Sequence, residues 1–328
     1  MGNYKENIYE DVNREYARIR EDNKIKQERI AAQIYSKIPR VKEIDEKIGE
    51  IGLGVAASIL NGEVSAANAV EQMQADMNSL IAEKNSLLEK AGYPVNAMKD
   101  IYSCERCRDK GYVDGERCEC YNKKVSSFMQ KYSNISMSGK NSFATFNINL
   151  YSDKPDAKYG ISPRQNMQSV YKIARGFADC ESGSPMNLLL YGATGLGKTF
   201  VSDCIAKRYI ENGKTVFYMS APKLFSAFED YKFGRDQTAR IRRVMDSVSD
   251  AQLLIIDDLG TEFKTSYSDS ILFDIINSRI IEEKHMIIST NLTTRDLKHI
   301  YSERICSRIL GNFTEVLFFG EDLRLKEI

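Results

Sequence analysis

The sequence has no excess of charge of either sign and no long apolar stretch. Lys and Arg together number 46, as do Asp and Glu, so contact with nucleic acid requires a local basic patch. No run approaches the roughly 20 apolar residues that cross a bilayer, and the polar amino terminus has no apolar signal segment. Glu6 stands where a myristoylation signal would have Ser or Thr. We therefore expect a cytoplasmic protein with no membrane partner.

Histidine is scarce, and the cysteines are unevenly distributed. Only His285 and His299 are present, far along the chain from most of the cysteines, and we expect no metal role for them. Cys180, Cys204 and Cys306 are scattered and are expected to be small buried residues rather than ligands. The interest therefore lies in the other four cysteines.

Those four cysteines form the pattern C-x-x-C, ten residues, C-x-C, at Cys104, Cys107, Cys118 and Cys120. Two close pairs can surround Zn²⁺ tetrahedrally, and the glycines in "DKGYVDG" between them suit a short hairpin. A thioredoxin-like redox pair and coincidence are the alternatives, although a redox pair would not need the second pair. A closed four-cysteine site would hold zinc structurally and supply folding energy to a short segment.

The chain before the cysteines is predicted to be helical. From Asn3 to Lys90 it is rich in Glu, Lys, Gln and Ala, and apolar residues recur at helical spacing, as at Ile44, Ile48 and Ile51. The segment "GEIGLGVAASILNGE" indicates a break. We expect several antiparallel helices or a broken coiled coil, which either packs only on itself or docks on a partner protein.

The pattern changes in the second half of the chain. The runs "MNLLLYG", "KTVFYMS", "AQLLIIDD", "HMIISTN" and "EVLFFG" are continuously apolar, and most of the segments between them have helical spacing. Strands of this kind are covered on both faces, which predicts the α/β class with a parallel sheet.

The first run leads into "GATGLGKT", which fits the phosphate-binding pattern G-x-x-x-x-G-K-[ST]. Its glycines allow backbone N–H groups to point at phosphates, Lys198 can reach the β- and γ-phosphates, and the Thr199 hydroxyl can bind Mg²⁺. We expect ATP and Mg²⁺ as ligands. The predicted nucleotide-binding residues are Gly192, Ala193, Thr194, Gly195, Leu196, Gly197, Lys198, Thr199 and Phe200.

Polar residues end two of the other apolar runs. Asp257 could hold Mg²⁺, and Asp258 could orient or deprotonate the attacking water. Asn291 could hold the same water or contact the γ-phosphate. The plainer alternatives are an acidic turn after a strand and an ordinary turn asparagine.

Arginines follow near the carboxyl end. Arg304 and Arg308 are four apart on a predicted helix and so share a face. They could pair with acids on their own surface, or one could enter a neighbouring subunit's site and stabilise phosphoryl transfer. Arg324 could reach the nucleotide of its own chain.

The motifs "YGATGLGKT", "LLIIDDLGTE", "IISTNL", "YSERICSRI" and "FFGEDLR", in this order, resemble the AAA+ ATPases of the DnaC/DnaI helicase-loader group and their IstB-like relatives. The resemblance begins near Ser162 and implies an AAA+ P-loop fold without a separate helical lid. It makes Asp257 and Asp258 the Walker B acids and Asn291 sensor 1. It also makes Arg308 the arginine finger, with Arg304 as second candidate, and Arg324 sensor 2.

The resemblance further implies slow, partner-regulated ATPase activity that loads a replicative helicase on DNA. The partners would be the helicase, single-stranded DNA and other copies of the chain assembled by ATP. A transposition helper and a nucleotide-gated binding module without turnover are the alternatives. The basic stretch at Arg240, Arg242 and Arg243 could contact DNA or be a solvated helix face. Arg164 and Asn166 are implied neighbours of the adenine.

The predicted domains are a helical partner-docking region at 1–98, a zinc-binding segment at 99–124, a connector at 125–161 and an AAA+ ATPase domain at 162–328.

Overall fold

A computed structural model describes residues 4–60, 66–133, 141–183 and 186–325. The chain divides into two compact units, one formed by residues 13–120 and the other by residues 1–12 together with 121–328. The four domains expected from the sequence, with their boundaries, stay predictions. Within the described ranges, no helix has the length and apolar character needed to cross a membrane.

The unit at residues 13–120 is built from long helices and one small hairpin. Its elements are α1 (Tyr4–Lys37), whose residues up to 12 belong to the other unit, α2 (Pro39–Leu60), α3 (Ala66–Lys90), β1 (Tyr112–Val113) and β2 (Glu116–Arg117). Ile34, Val41 and Leu88 form a buried cluster. Because Lys84 donates to Asp45 while Val41 lies beside Leu88, α2 and α3 run antiparallel, as expected.

Helix α2 ends inside the glycine-bearing segment where the sequence indicated a break. It continues through Gly49 and Gly52 and ends at Leu60. A glycine inside a helix costs about 1 kcal/mol relative to alanine, which weakens a helix but need not end it. Residues 61–63, the rest of that segment, lie outside the described residues, so the break stays a prediction.

The other unit contains a five-stranded parallel sheet. Its strands are β3 (Asn187–Gly192), β4 (Val216–Ser220), β5 (Leu253–Leu259), β6 (His285–Thr290) and β7 (Thr314–Phe318). Their order across the sheet is β4-β5-β6-β3-β7. Each strand lies within or beside one of the five apolar runs, and all pair in parallel. The predicted α/β class with a parallel sheet is confirmed.

Helices precede the sheet and join its strands. Helices α4 (Glu119–Tyr132) and α5 (Pro163–Asp179) come before β3. The helices between the strands are α6 (Lys198–Glu211), α7 (Ala221–Lys232), α8 (Ala239–Asp250), α9 (Ser266–Ile281), α10 (Thr294–Ile300) and α11 (Glu303–Asn312). Helix α4 spans the end of the predicted zinc-binding segment at 99–124 and the start of the predicted connector at 125–161. Strand β3 is flanked by β6 and β7. The chain passes from β3 to β4 at the edge of the sheet, and the later strands β6 and β7 then pair with β3 on its two sides. Ligands of such sheets bind at the carboxyl ends of strands at this reversal of order.

Candidate functional site

The phosphate loop lies at the carboxyl end of β3, and its glycines have conformations that other residues rarely adopt. Gly192, Gly195 and Gly197 have φ values of 142°, 77° and 95°. A Cβ atom on Gly192 would lie 2.0 Å from the carbonyl oxygen of Phe318 on β7. Helix α6 begins directly after the loop, so its free N–H groups face the same space.

The side chain of Lys198 lies inside the loop. Its Nζ donates to the carbonyl oxygens of Gly192 and Ala193 and to Oδ1 of Asn291, each at 2.7 Å. Burial lowers the pKa of Lys198, and the carboxylates of Asp258 and Asp257 oppose that shift. The sheet thus brings the predicted lysine and the predicted sensor asparagine into direct contact, although 93 positions separate them.

Asp257 ends the buried part of β5 and accepts hydrogen bonds on both carboxylate oxygens. Oδ2 accepts from the Thr199 hydroxyl at 3.3 Å and from the Tyr218 hydroxyl at 2.6 Å. Oδ1 accepts from the Ser289 hydroxyl. The two residues predicted to bind Mg²⁺ are therefore adjacent. Tyr218, on β4, was not predicted, because a tyrosine in an apolar strand gives no sign of which face it occupies.

Asp258 has a different environment from Asp257. Its φ is 56°, in the left-handed region that aspartate tolerates better than most residues, and its N–H donates to the Ser289 hydroxyl at 2.9 Å. Burial, and then the negative charge of Asp257, raise the pKa of Asp258 above its usual value. A carboxylate with a raised pKa is better suited to accept a proton from water.

These residues surround a cavity of about 420 Å³. Its lining consists of Thr145, Phe146, Asn147, Leu150, Tyr151, Thr194, Gly195, Gly197, Lys198, Thr199, Phe200, Asp258, Asn291, Leu323 and Arg324. Apolar surface from residues 145–151 therefore faces the polar end formed by the loop, Asp258 and Asn291. A cavity with one apolar and one phosphate-binding end fits a nucleoside triphosphate.

The wall at residues 145–151 was not predicted. Tyr151 donates to the carbonyl oxygen of Leu196 at 3.2 Å, and burial raises its pKa to about 12. Arg164 donates to the Tyr151 carbonyl oxygen at 3.2 Å and so supports this wall from behind. Asn166 donates to the carbonyl oxygen of Leu317. Neither Arg164 nor Asn166 is among the lining residues, whereas the wall itself is placed to meet a base.

The predicted arginines fall into two groups. Arg324 lines the cavity and is paired with Asp322, 3.0 Å from Nη2 to Oδ2, and the Leu323 N–H donates to the Gly195 carbonyl oxygen. Arg304 and Arg308 are exposed on α11 and are not among the lining residues of their own chain's cavity.

A buried glutamate links the loop after β5 to the start of α11. Glu262 accepts from the Gly260 N–H at 2.7 Å and from the hydroxyl of Tyr301. Tyr301 stands two residues before α11 begins. The loop beside the phosphate site and the helix that carries both exposed arginines are therefore joined through one carboxylate.

Comparison with known proteins agrees with this geometry. Residues 173–326 match the family of IstB-like ATP binding proteins. This part of the chain is similar to IstB-like ATP binding proteins, and we refer to it as the IstB-like domain. The resemblance expected from the motifs, to DnaC/DnaI-type loaders and IstB-like proteins, is confirmed.

The similar proteins include loaders and an insertion-sequence protein. The replicative helicase loader DnaC of Buchnera aphidicola subsp. Baizongia pistaciae is 27% identical over 178 residues, 54% of this chain and 72% of that protein. The insertion sequence IS21 ATP-binding protein of Pseudomonas aeruginosa is 27% identical over 146 residues, 43% of this chain and 53% of that protein. The replicative helicase loader DnaI of Bacillus subtilis is 28% identical over 127 residues, 38% of this chain and 40% of that protein.

The four clustered cysteines lie in the other unit, outside the IstB-like domain. The Sγ atoms of Cys104, Cys107, Cys118 and Cys120 all lie within 4.8 Å of one another. The Cys104–Cys118 and Cys107–Cys120 sulfur distances are 3.9 and 3.5 Å. Tetrahedral zinc with Zn–S bonds of about 2.3 Å separates its sulfurs by about 3.8 Å, so the donor set fits a metal ion.

The backbone around the cysteines is fixed by hydrogen bonds of its own. Buried Asp109 accepts from the Ser103 and Cys104 N–H groups and from Asn23 Nδ2 on α1, each at 2.9 Å. The Gly111 N–H donates to the Cys107 sulfur at 3.3 Å. Such bonds orient ligands before a metal binds. The contact between Asn23 and Asp109 was not predicted, because the two residues are 86 positions apart in the sequence.

The predicted DNA-contacting arginines lie on α8, within the IstB-like domain. Arg242 is exposed there. The side chains of Arg240 and Arg243 lie outside the described part of the structure.

Proposed function

We propose that this chain is an ATPase that loads a replicative helicase on DNA. The observation that carries the proposal is the convergence of Lys198, Asp258, Asn291 and Arg324 on one cavity with an apolar wall. These side chains lie at or after the ends of different strands of the sheet. ATP is the class of ligand whose binding and hydrolysis would involve all four of them.

The residues around the cavity have separate roles in hydrolysis. Backbone N–H groups of the loop and Nζ of Lys198 bind the phosphates, and the wall at 145–151 holds the base. Asp258 accepts the proton of the attacking water, which Asn291 orients. The raised pKa of Asp258 suits this role, and the contact between Asn291 and Lys198 keeps the amide at the phosphate end.

Thr199 and Asp257 are the residues that would hold Mg²⁺, and their oxygens are ligands of the kind that this ion prefers. When bound, Mg²⁺ neutralises charge on the phosphate oxygens. Tyr218 and Ser289 orient the Asp257 carboxylate through their hydroxyl groups.

Arg308 acts on the site of a neighbouring copy, with Arg304 as the second candidate. Both are exposed and outside the lining of their own cavity, as an arginine that acts between subunits must be. ATP then joins copies into an oligomer, and a dilute monomer hydrolyses it slowly. Arg324, beside the phosphate loop of its own chain, acts as sensor 2.

The unit at residues 13–120 docks the helicase, and zinc fixes its cysteine segment. The sulfur distances and the buried Asp109 network support the zinc assignment. Four cysteine ligands leave no open coordination position, which makes the metal structural. The names of the DnaC and DnaI relatives support a replicative helicase as the partner. Single-stranded DNA contacts α8 through Arg242 and its neighbours.

The test uses the full chain, ATP, a hexameric replicative helicase and circular single-stranded DNA. We expect helicase on the circle to increase several-fold with the wild type and not with Lys198→Ala. Lys207→Ala, on the same helix, is the matched control. Equal loading with and without the chain would overturn helicase loading. Normal ATP hydrolysis by Lys198→Ala would overturn the proposed nucleotide site.

A transposition helper is the second candidate, because the domain match and one relative belong to the IstB/IS21 type. Direct binding of the full chain to a purified IS21-type transposase, with no binding to the helicase, would favour it. Single-turnover hydrolysis distinguishes both from a nucleotide-gated module. Equal, negligible rates for the wild type and Asp258→Asn would indicate a module without turnover.

A further inference from the structure

A second group of reactive side chains lies near the amino-terminal end of β6, away from the phosphate site. Cys180 is the residue at which α5 ends, with φ 52°, and its Sγ accepts a hydrogen bond from Nζ of Lys214 at 2.7 Å. The same sulfur lies 3.5 Å from the hydroxyl of Tyr209, which is bonded to His285 Nδ1. Nothing in the proposed ATPase mechanism uses these four residues.

Lys214 is held against the sulfur by its own backbone. Its N–H donates to the Tyr209 carbonyl oxygen at 2.9 Å, which closes the turn after α6. Burial raises the pKa of Tyr209 and lowers that of His285, so both stay neutral at physiological pH. Lys214 is therefore the basic side chain in direct contact with the sulfur. Thiolates rather than thiols attack oxidants, and cysteines beside lysine are a reactive type.

A cavity of about 260 Å³ is lined by Lys214, Tyr209 and His285 among others. Cys180 is not among its lining residues but is itself only partly buried. The other two isolated cysteines differ. Cys204 is 1% exposed, and burial raises its pKa to about 12. Cys306 is buried and donates to the carbonyl oxygen of Leu297.

We propose that Cys180 and Lys214 form a peroxide-reactive pair that closes to a sulfur–nitrogen bond. The Cys180 thiolate attacks one oxygen of hydrogen peroxide, the O–O bond breaks, and the leaving hydroxide takes a proton from the Lys214 ammonium. Sulfenic acid, water and a neutral amine result. The amine then attacks the sulfur and the sulfenic oxygen leaves as water, which forms a sulfenamide. Peroxide is the two-electron oxidant throughout, and an added thiol can reverse the bond.

The experiment treats zinc-loaded, full-length protein with hydrogen peroxide and analyses tryptic peptides by mass spectrometry. Cys180 is the one cysteine in peptide 176–198, and a bond to Lys214 would block cleavage there and join that peptide to 209–223. We expect this joined product, with the loss of two hydrogen atoms, and its disappearance after reduction. Cys180 should react more than about tenfold faster than Cys306.

Two substitutions of Lys214 separate the role of its positive charge from the role of its amine as a nucleophile. Lys214→Met should slow oxidation of Cys180 and abolish the joined product. Lys214→Arg keeps the charge but lacks the amine, so sulfenic acid should still form and be trapped by dimedone without any joined product. Reaction of Cys180 no faster than Cys306, or a stable sulfenic acid without joining in the wild type, would overturn the proposal. Thermal melting of each variant checks that it is folded.

Discussion

The side chains around the phosphate loop come from strand ends far apart in the chain, whereas the four clustered cysteines all lie between Cys104 and Cys120. Lys198 meets Asn291 only because β3 and β6 pair in parallel. The cysteines are brought together by a hairpin of two short strands, β1 and β2, and by the hydrogen bonds that Asp109 accepts. The first site is thus a product of the whole sheet, while the second depends on a local turn and on one contact with α1. Damage to either one should therefore leave the other nearly intact.

The largest effect is expected from Lys198→Ala. The substitution removes the cation of the phosphate loop, and ATP hydrolysis should fall at least about 100-fold. Zinc content should stay at about one per chain, because the cysteine cluster does not involve the sheet. Phosphate release and metal analysis measure the two outcomes. Loss of zinc from this variant would show that the sites are not independent.

Cys118→Ser tests the opposite case, in which the cysteine cluster is changed and the phosphate site is left intact. We expect loss of the bound zinc and impaired binding of the helicase, with the Kd for ATP changed by less than about twofold. Cys180→Ser is the matched control, since its sulfur is outside the cluster. Isothermal titration with ATP and with helicase provides the measurement. A weakened ATP affinity in Cys118→Ser alone would contradict the separation of the two regions.

Tyr218→Phe examines a contact that only the sheet creates. Removing a hydroxyl that donates to Asp257 at 2.6 Å should cost about 1 kcal/mol of transition-state stabilisation, or about fivefold in kcat. More Mg²⁺ should be needed for half-maximal activity. Tyr267→Phe, whose hydroxyl bonds to the carbonyl oxygen of Phe228, should change neither quantity. An unchanged magnesium dependence in Tyr218→Phe would remove the positioning role of this hydroxyl.

The smallest effect concerns stability. The pKa of Asp258 is raised in the folded protein, so folding is favoured when the carboxyl is protonated, and this contribution is lost as pH rises through the raised pKa. At neutral pH the ionised side chain therefore lowers the free energy of unfolding. Asp258→Asn should abolish hydrolysis yet raise Tm by roughly 1–3 °C at pH 7, with a smaller gain near pH 4. A lower Tm at pH 7 would contradict the assigned environment.

Features with a local cause were predictable from the sequence. The apolar runs became the five strands, and the glycines of "GATGLGKT" became the loop at the end of β3. The spacing of the cysteines also predicted that their sulfurs would meet. In each case, neighbouring residues determine the result, through burial on both faces, a positive φ or a hairpin.

Features that depend on distant contacts were missed. Tyr151 forms part of the cavity wall because its hydroxyl bonds to the Leu196 carbonyl oxygen, and nothing in the irregular sequence around it indicates that contact. Tyr218 resembles any strand aromatic until β4 pairs with β5 and places it beside Asp257.

The carboxylate of Glu262 bonds to the Gly260 N–H at one oxygen and to Tyr301 at the other. If Arg308 serves a neighbour's ATP, the helix that presents it is tied to its own chain's phosphate site. Nucleotide binding at one copy's phosphate site then affects the Arg308 that serves the neighbouring copy's site. Thermodynamic linkage makes this effect on ATP binding reciprocal. An assembly built from such copies would show cooperative ATP binding, with a Hill coefficient that falls toward one when Glu262 or Tyr301 loses its hydrogen bond.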